Sequence, residues 1–241
     1  MNKLKTLSSV EVRPWIQAHL ALTLVWILVA LYMIFLVAPE ESTMGEIQRI
    51  FYIHMPIAVV ALTAYAVAFV ASMAYLVKRS RTADDIAYAS AEVGFVFCTC
   101  VLVTGPLWAK PVWGIWWTWD ARLTSTFVLW LLFISYLMLR VYLINPDRAE
   151  VLAAVVSIIG FADAVFDYMS IRWFRTQHPQ PVMGGGPGSG LDPKMKLTVA
   201  VSLGAFLCLF AYLVRQRVAL AQTARELSRL RREYSSREAR A

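Results

Sequence analysis

The chain of 241 residues is 59% hydrophobic and only 16% charged, with a mean hydropathy of +0.57. A soluble globule carries about 25% charge, so an ordinary water-soluble domain is excluded and the bilayer is the expected solvent. The net charge of +7 comes with no nucleic-acid-binding motif, so the basic excess is taken to report membrane topology, and no nucleic-acid partner is expected.

In chain order, six apolar stretches are each long enough to cross roughly 30 Å of hydrocarbon: 18–38, 53–77, 86–105, 125–144, 151–170 and 197–214. All six are expected to be helices, because a span must satisfy its own backbone hydrogen bonds in lipid and no alternating strand pattern is present. The first is too long for a secretory signal and lacks a small-residue cleavage site, so it is kept as a span. The expected fold is therefore all-α: a polytopic membrane protein of six transmembrane helices with an interfacial Trp-rich segment on its outer side. Residues 1–214 form the membrane domain and 215–241 a basic tail.

An even number of spans puts both termini on one side. That side collects sixteen Lys and Arg, eight of them between Arg215 and Arg240, and the other side seven. The positive-inside rule then makes the termini cytoplasmic. In the tail, Leu220, Leu227, Leu230 and Tyr234 fall at helical spacing among arginines, which fits a solvated or lipid-surface helix. Cys98, Cys100 and Cys208 lie in apolar runs with no C-x-x-C, so neither a disulfide framework nor a thiolate metal site is indicated. The glycine-rich run from Gly184 to Gly190 lacks the Lys-Ser/Thr of a phosphate loop and is taken as a flexible segment.

Parity places the first, third and fifth connections together, opposite the termini. They hold 51–56 with His54, the Trp-rich stretch 107–122, and 172–179 with His178. Five tryptophans between 108 and 119 exceed what interfacial anchoring needs. On an interfacial helix Trp113, Trp116 and Trp117 would share one face at i, i+3, i+4 and form a flat platform. Such a surface suits a large planar apolar ligand, for which a porphyrin is the obvious candidate. A porphyrin iron needs axial ligands, and His54 and His178 stand on the same side to supply two. His19, at the other end of the first span, is expected to be a packing residue. Arg122, Lys110, Arg49, Arg172 and Arg175 are cations available to propionates. Glu92, Asp163 and Asp167 fall inside spans, where an unpaired ionisable group costs on the order of 3 kcal/mol or more. They are expected either to form a polar network between helices or to line a ligand pathway.

The run Trp113-Gly114-Ile115-Trp116-Trp117-Thr118-Trp119-Asp120-Ala121-Arg122-Leu123-Thr124-Ser125 resembles the tryptophan-rich "WWD" signature of heme-handling membrane proteins. Its Asp-Ala-Arg-Leu-Thr-Ser ending is similar to that of the cytochrome c maturation family of heme exporter protein C. Phe51-Tyr52-Ile53-His54, Val103-Thr104-Gly105 and Arg175-Thr176-Gln177-His178-Pro179 extend the likeness over nearly the whole chain. The resemblance implies that His54 and His178 are axial ligands of a b-type, non-covalently bound heme carried as a transferred substrate. Trp113, Trp116, Trp117, Trp119, Asp120 and Arg122 would line that site on the periplasmic face. It implies presentation of heme to a membrane-anchored heme chaperone, without bond-making at the site itself, beside ATP-binding-cassette transporter subunits and a small single-span membrane subunit in the lipid bilayer of the cell inner membrane. Three rivals differ in what they predict. A b-type electron carrier would place its histidines within the spans. A transporter gated by the three intramembrane acids leaves the tryptophans unexplained, and a scaffold with an aromatic belt binds no heme.

Overall fold

A computed structural model describes residues 14–178 and 190–238. Lys3, Lys5, Arg13, Pro179, Arg240 and the glycine run up to Ser189 lie outside the described residues. Among those described, six helices are long and apolar enough to cross a membrane: α1 (Pro14–Tyr32), α2 (Phe51–Lys78), α3 (Arg81–Trp113), α4 (Ala121–Tyr142), α5 (Pro146–Trp173) and α6 (Pro193–Glu238). A π-helical turn, Met33–Val37, prolongs α1, and a 3₁₀ turn, Glu46–Ile50, leads into α2.

The boundaries have local causes. Ser80, Asp120 and Asn145 are the N-caps of α3, α4 and α5, their side chains accepting from the backbone N–H of Ala83, Leu123 and Arg148. Pro146 follows at the first helical position, where its missing N–H costs nothing. Arg79, at φ +50°, ends α2 in the left-handed conformation.

α2 is the central helix, packed against α3, α5 and α6; α4 bridges α3 and α5, and α1 packs chiefly on α6. Close approach depends on small side chains, as expected where lipid gives helices no hydrophobic reason to associate. Ala61, Ala64, Ala68 and Ala71 are all buried on α2. A methyl at Gly160 of α5 would come within 2.1 Å of the Tyr65 ring, and one at Gly94 of α3 within 2.6 Å of Phe133. The opposite faces carry exposed Leu22, Val25 and Leu28 on α1 and Val141 on α4, which suits contact with lipid tails.

The connections converge as parity requires. At one end, here the loop end, Ile34, Phe51, Tyr52, Trp108, Met195 and Val199 form a single apolar cluster drawn from α2, α3, α6 and the π turn. The other, the tail end, gathers the α2–α3 and α4–α5 connections and the second half of α6.

Two expectations change in detail. α3 does not stop near 105 but continues to Trp113, through Pro106 and Pro111. Each proline removes one N–H from the helix ladder, leaving the carbonyls of Leu102 and Leu107 without that partner; in a membrane helix such losses are tolerated where neighbours compensate. α6 runs without a break through residue 215 for 46 residues, roughly 69 Å at 1.5 Å per residue. Its distal half is tied to α3: Arg217 donates to Glu92 at 2.6 and 2.7 Å, and Arg225 donates to both oxygens of Asp85. The start of the tail is therefore clamped by ion pairs, where a freely solvated or lipid-surface helix was expected.

Candidate functional site

His54 sits one turn into α2, buried to 8% exposure. Its Nδ1 lies 2.8 Å from the hydroxyl of Thr104 on α3. One turn further along α3, the Trp108 ring stands 5.9 Å from the imidazole, and Trp108 in turn is 6.3 Å from Trp113. Two helix ends thus build a wall of rings around one histidine.

The tryptophans beyond Trp113 do not continue that helix. Gly114, at φ +77°, takes the left-handed conformation that ends α3, a position glycine adopts without the strain a side chain brings. Its N–H donates to the Lys110 carbonyl and its own carbonyl accepts from Lys110 Nζ, both at 2.9 Å. Residues 115–120 are irregular, so Trp113, Trp116 and Trp117 do not share one helical face, contrary to the expectation from their spacing. The rings meet by other routes. Trp117 and Trp119 are edge to face at 5.6 Å, Trp119 reaches Phe127 of α4 at 6.1 Å, and Lys110 lies over Trp116. Trp113, Ile115, Trp116, Trp117, Leu123 and Gln177 line a shallow depression. Trp116 and Trp119 remain 55% and 73% exposed, and the indole N–H groups of Trp108 and Trp117 are buried with no partner among the described residues.

Asp120 closes the segment. One carboxylate oxygen accepts from the Leu123 N–H, capping α4; the other accepts from the Thr118 hydroxyl at 3.0 Å and from the Gln177 N–H at 3.1 Å. A single side chain therefore starts α4, shapes the Trp segment and pins the fifth connection beside His178. His178 is partly buried and lies within electrostatic range of His54, as does Arg122. In the first connection, the backbone N–H groups of Met44 and Thr43 hold the Glu41 carboxyl below the usual carboxylate range. Arg49 donates to Glu46 and to the Ile34 carbonyl.

Beneath the Trp segment, Arg122 is engaged by α5: it donates to the Asp167 carbonyl and lies 3.3 Å from the Asp167 carboxylate, which also accepts from Ser125 and Thr126 at 2.8 and 2.7 Å. Asp167 is thus a satisfied packing acid between α4 and α5, one of the two roles expected of it. Glu92 belongs to Arg217, not to an acidic cluster with Asp163. Asp163, one turn below Asp167, keeps one buried oxygen with no partner among the described residues. His19 is the packing residue expected, with Arg215 donating to Nδ1, Nε2 facing the Cys208 carbonyl at 3.3 Å, and Tyr212 edge-on at 5.3 Å.

Sequence reasoning missed Thr104 and Gln177 as parts of the site and did not single out Trp108. Spacing held the signal for two of them, since Thr104 and Trp108 are four apart on one helix; reading 107–122 as a loop hid it. Among the described residues no three His, Cys, Asp or Glu side chains converge, so a bare cation has no ready-made ligand set. A porphyrin iron arrives with four nitrogens and asks only for axial ligands, which a pair of histidines beside an aromatic wall can give.

A family model described as heme exporter protein C matches residues 3–233. The chain is 36% identical over 204 residues to the heme exporter protein C of Bradyrhizobium diazoefficiens, covering 84% of this chain and 76% of that one. It is 31% identical over 218 residues to the same-named protein of Rhodobacter capsulatus, covering 90% and 89%. With that of Escherichia coli it shares 34% identity over 181 residues, covering 75% and 73%.

Proposed function

The chain belongs to the heme exporter protein C family, and from that premise we propose that it holds heme at its loop end and presents it for c-type cytochrome assembly. The observation that carries this reading is the meeting of His54 with Trp108 and Trp113, together with the Asp120 bond that holds Gln177, the neighbour of His178, against the same Trp segment. His54 and His178 are the axial ligands to the iron. Trp113, Trp116, Trp117 and Trp119 give the porphyrin faces to stack on. Asp120 and Arg122 act from behind, Asp120 by pinning the fifth connection and Arg122 by locking α4 to α5.

Heme is here a b-type, non-covalently held substrate in transit, so beyond reversible ligation of the iron the site catalyses no bond-making and the protein is an assembly component, not an enzyme. Ligands at helix ends and in a connection, outside the rigid span centres, suit a site that must also let go. The receiver is a membrane-anchored heme chaperone, and the chain works beside ATP-binding-cassette subunits and a small single-span subunit. It sits in the cell inner membrane with both termini cytoplasmic and the loop end periplasmic. The reading as an acid-gated transporter is weakened by the commitment of Asp167 to Arg122 and of Glu92 to Arg217.

The test is an absorption spectrum of the detergent-purified chain titrated with ferric heme. Wild type and His19→Ala are expected to give a low-spin bis-imidazole spectrum, and His54→Ala and His178→Ala to lose it. An unchanged spectrum in the His54→Ala/His178→Ala double variant overturns the assignment.

A further inference from the structure

We propose that Thr104 selects the tautomer of His54, holding the proton on Nδ1 so that Nε2 carries the lone pair that meets iron. The inference rests on His54 being a heme ligand, as argued above, and adds a positioning residue to that site.

Counting protons fixes the tautomer. Thr104 Oγ1 has one hydrogen, and it lies 2.7 Å from the carbonyl of Cys100, the residue one turn back on α3. That back-bond takes the hydroxyl's only donor. The same oxygen is 2.8 Å from His54 Nδ1. Two groups at hydrogen-bond distance need one proton between them, and with the hydroxyl proton committed the proton belongs to Nδ1–H, with Thr104 accepting. A neutral imidazole has a single N–H, so Nε2 is bare. The ring is also packed beside Trp108, whose ring centroid lies 5.9 Å away.

His19 shows the opposite outcome in the same molecule. Arg215 has only protons to give and donates to Nδ1 at 3.0 Å, so Nε2 bears the hydrogen and points it at Cys208 O. Both nitrogens are spent and none remains for a metal. One hydroxyl, Thr104, separates a histidine primed for ligation from one consumed by packing. A hydroxyl acceptor also leaves the imidazole less basic than a carboxylate acceptor would, which suits a ligand that must release its iron.

The experiment compares ferric heme titrations of the full chain as wild type, Thr104→Val, Thr104→Ala, Thr104→Ser and His54→Ala, followed by absorption and by low-spin electron paramagnetic resonance. Thr104→Val keeps the shape and removes the acceptor, and Thr104→Ala does so without the risk of misplaced bulk. Both are expected to weaken heme binding about 10- to 100-fold, the range for lost outer-shell partners of metal-bound histidine, and to shift the low-spin signal. Thr104→Ser retains the hydroxyl and is expected to match wild type. Wild-type affinity and signal in the Val and Ala variants, with His54→Ala still defective, overturn the role of Thr104 and leave the ligand reading standing. Equal loss in Thr104→Ser also overturns it. A wild-type spectrum in His54→Ala overturns the ligand reading itself.

Discussion

At the tail end Asp84 receives two hydrogen bonds from Arg140 at 2.6 and 2.7 Å, Asp85 is held by Arg225, Glu92 by Arg217, and Glu150 by Arg81 and Tyr75. At the loop end one ion pair, Arg122 with Asp167, ties α4 to α5, and the rest of the joining is done by a different material: the rings of Phe51, Trp108, Trp113, Trp117 and Trp119, one capping aspartate, and indole N–H groups without partners among the described residues. Charged, bidentate pairs have one good geometry and fix the helices against one another. Stacked and edge-to-face rings tolerate small rearrangements at little cost. The bundle is therefore clamped where α3, α4, α5 and α6 leave the membrane at one end, and adaptable at the end where a flat ligand is proposed to bind and depart.

The largest expected effect is at Asp84. Its side chain is 7% exposed and its partner Arg140 16%. Asp84→Ala leaves a largely buried guanidinium without its carboxylate, and the expected loss is about 3 kcal/mol, the lower end for a broken buried pair because Arg140 retains some solvent. Thermal unfolding in detergent reads this as a lower midpoint. Heme bound per folded molecule should stay at the wild-type level. A fall in heme occupancy matching the fall in stability would show that the two ends are not separable.

How much of this was legible in the sequence divides along the same line. All six spans and the convergence of the odd-numbered connections follow from hydropathy and parity, because each helix must hide its own backbone from lipid whatever its neighbours do. The sorting of His19 from His54 followed from the same count. Helix ends were less visible: the reading stopped α3 near residue 105, where Pro106 and the tryptophans look like a loop, but the helix holds until Gly114 offers a left-handed exit. Without that glycine in view, the i, i+3, i+4 spacing of Trp113, Trp116 and Trp117 looked helical. Partners were least visible of all. Glu92 and Arg217 are 125 residues apart, and Asp120 and Gln177 57; periodicity tells which face a residue occupies and not what stands opposite.

A smaller effect is expected at Asp120, and it sharpens the comparison because one residue serves both stability and site. Asp120→Ala removes the α4 cap, worth about 1 kcal/mol, and frees the Gln177 N–H next to His178. Heme affinity should fall about 10-fold, as for a lost outer-shell contact. Asp120→Asn keeps one acceptor oxygen and should recover most of the stability and part of the affinity. Heme titration alongside thermal unfolding separates the two; a loss of stability with unaltered heme affinity would reduce Asp120 to a cap.

The smallest stability change belongs to Trp119, and it decides whether the Trp segment is a platform or an anchor. At 73% exposure, touching only the rings of Trp117 and Phe127 among the described residues, it contributes little to the fold, and Trp119→Ala should move stability by no more than about 0.5 kcal/mol. If the ring stacks on porphyrin, the lost stacking of about 0.5 to 1.5 kcal/mol weakens heme binding roughly 2- to 12-fold. If it only marks the membrane interface, heme affinity stays put and the variant instead becomes less stable in bilayers than in detergent. Titrating heme and measuring unfolding in both media distinguishes the two, since an interfacial anchor answers to lipid and a stacking surface answers to its ligand.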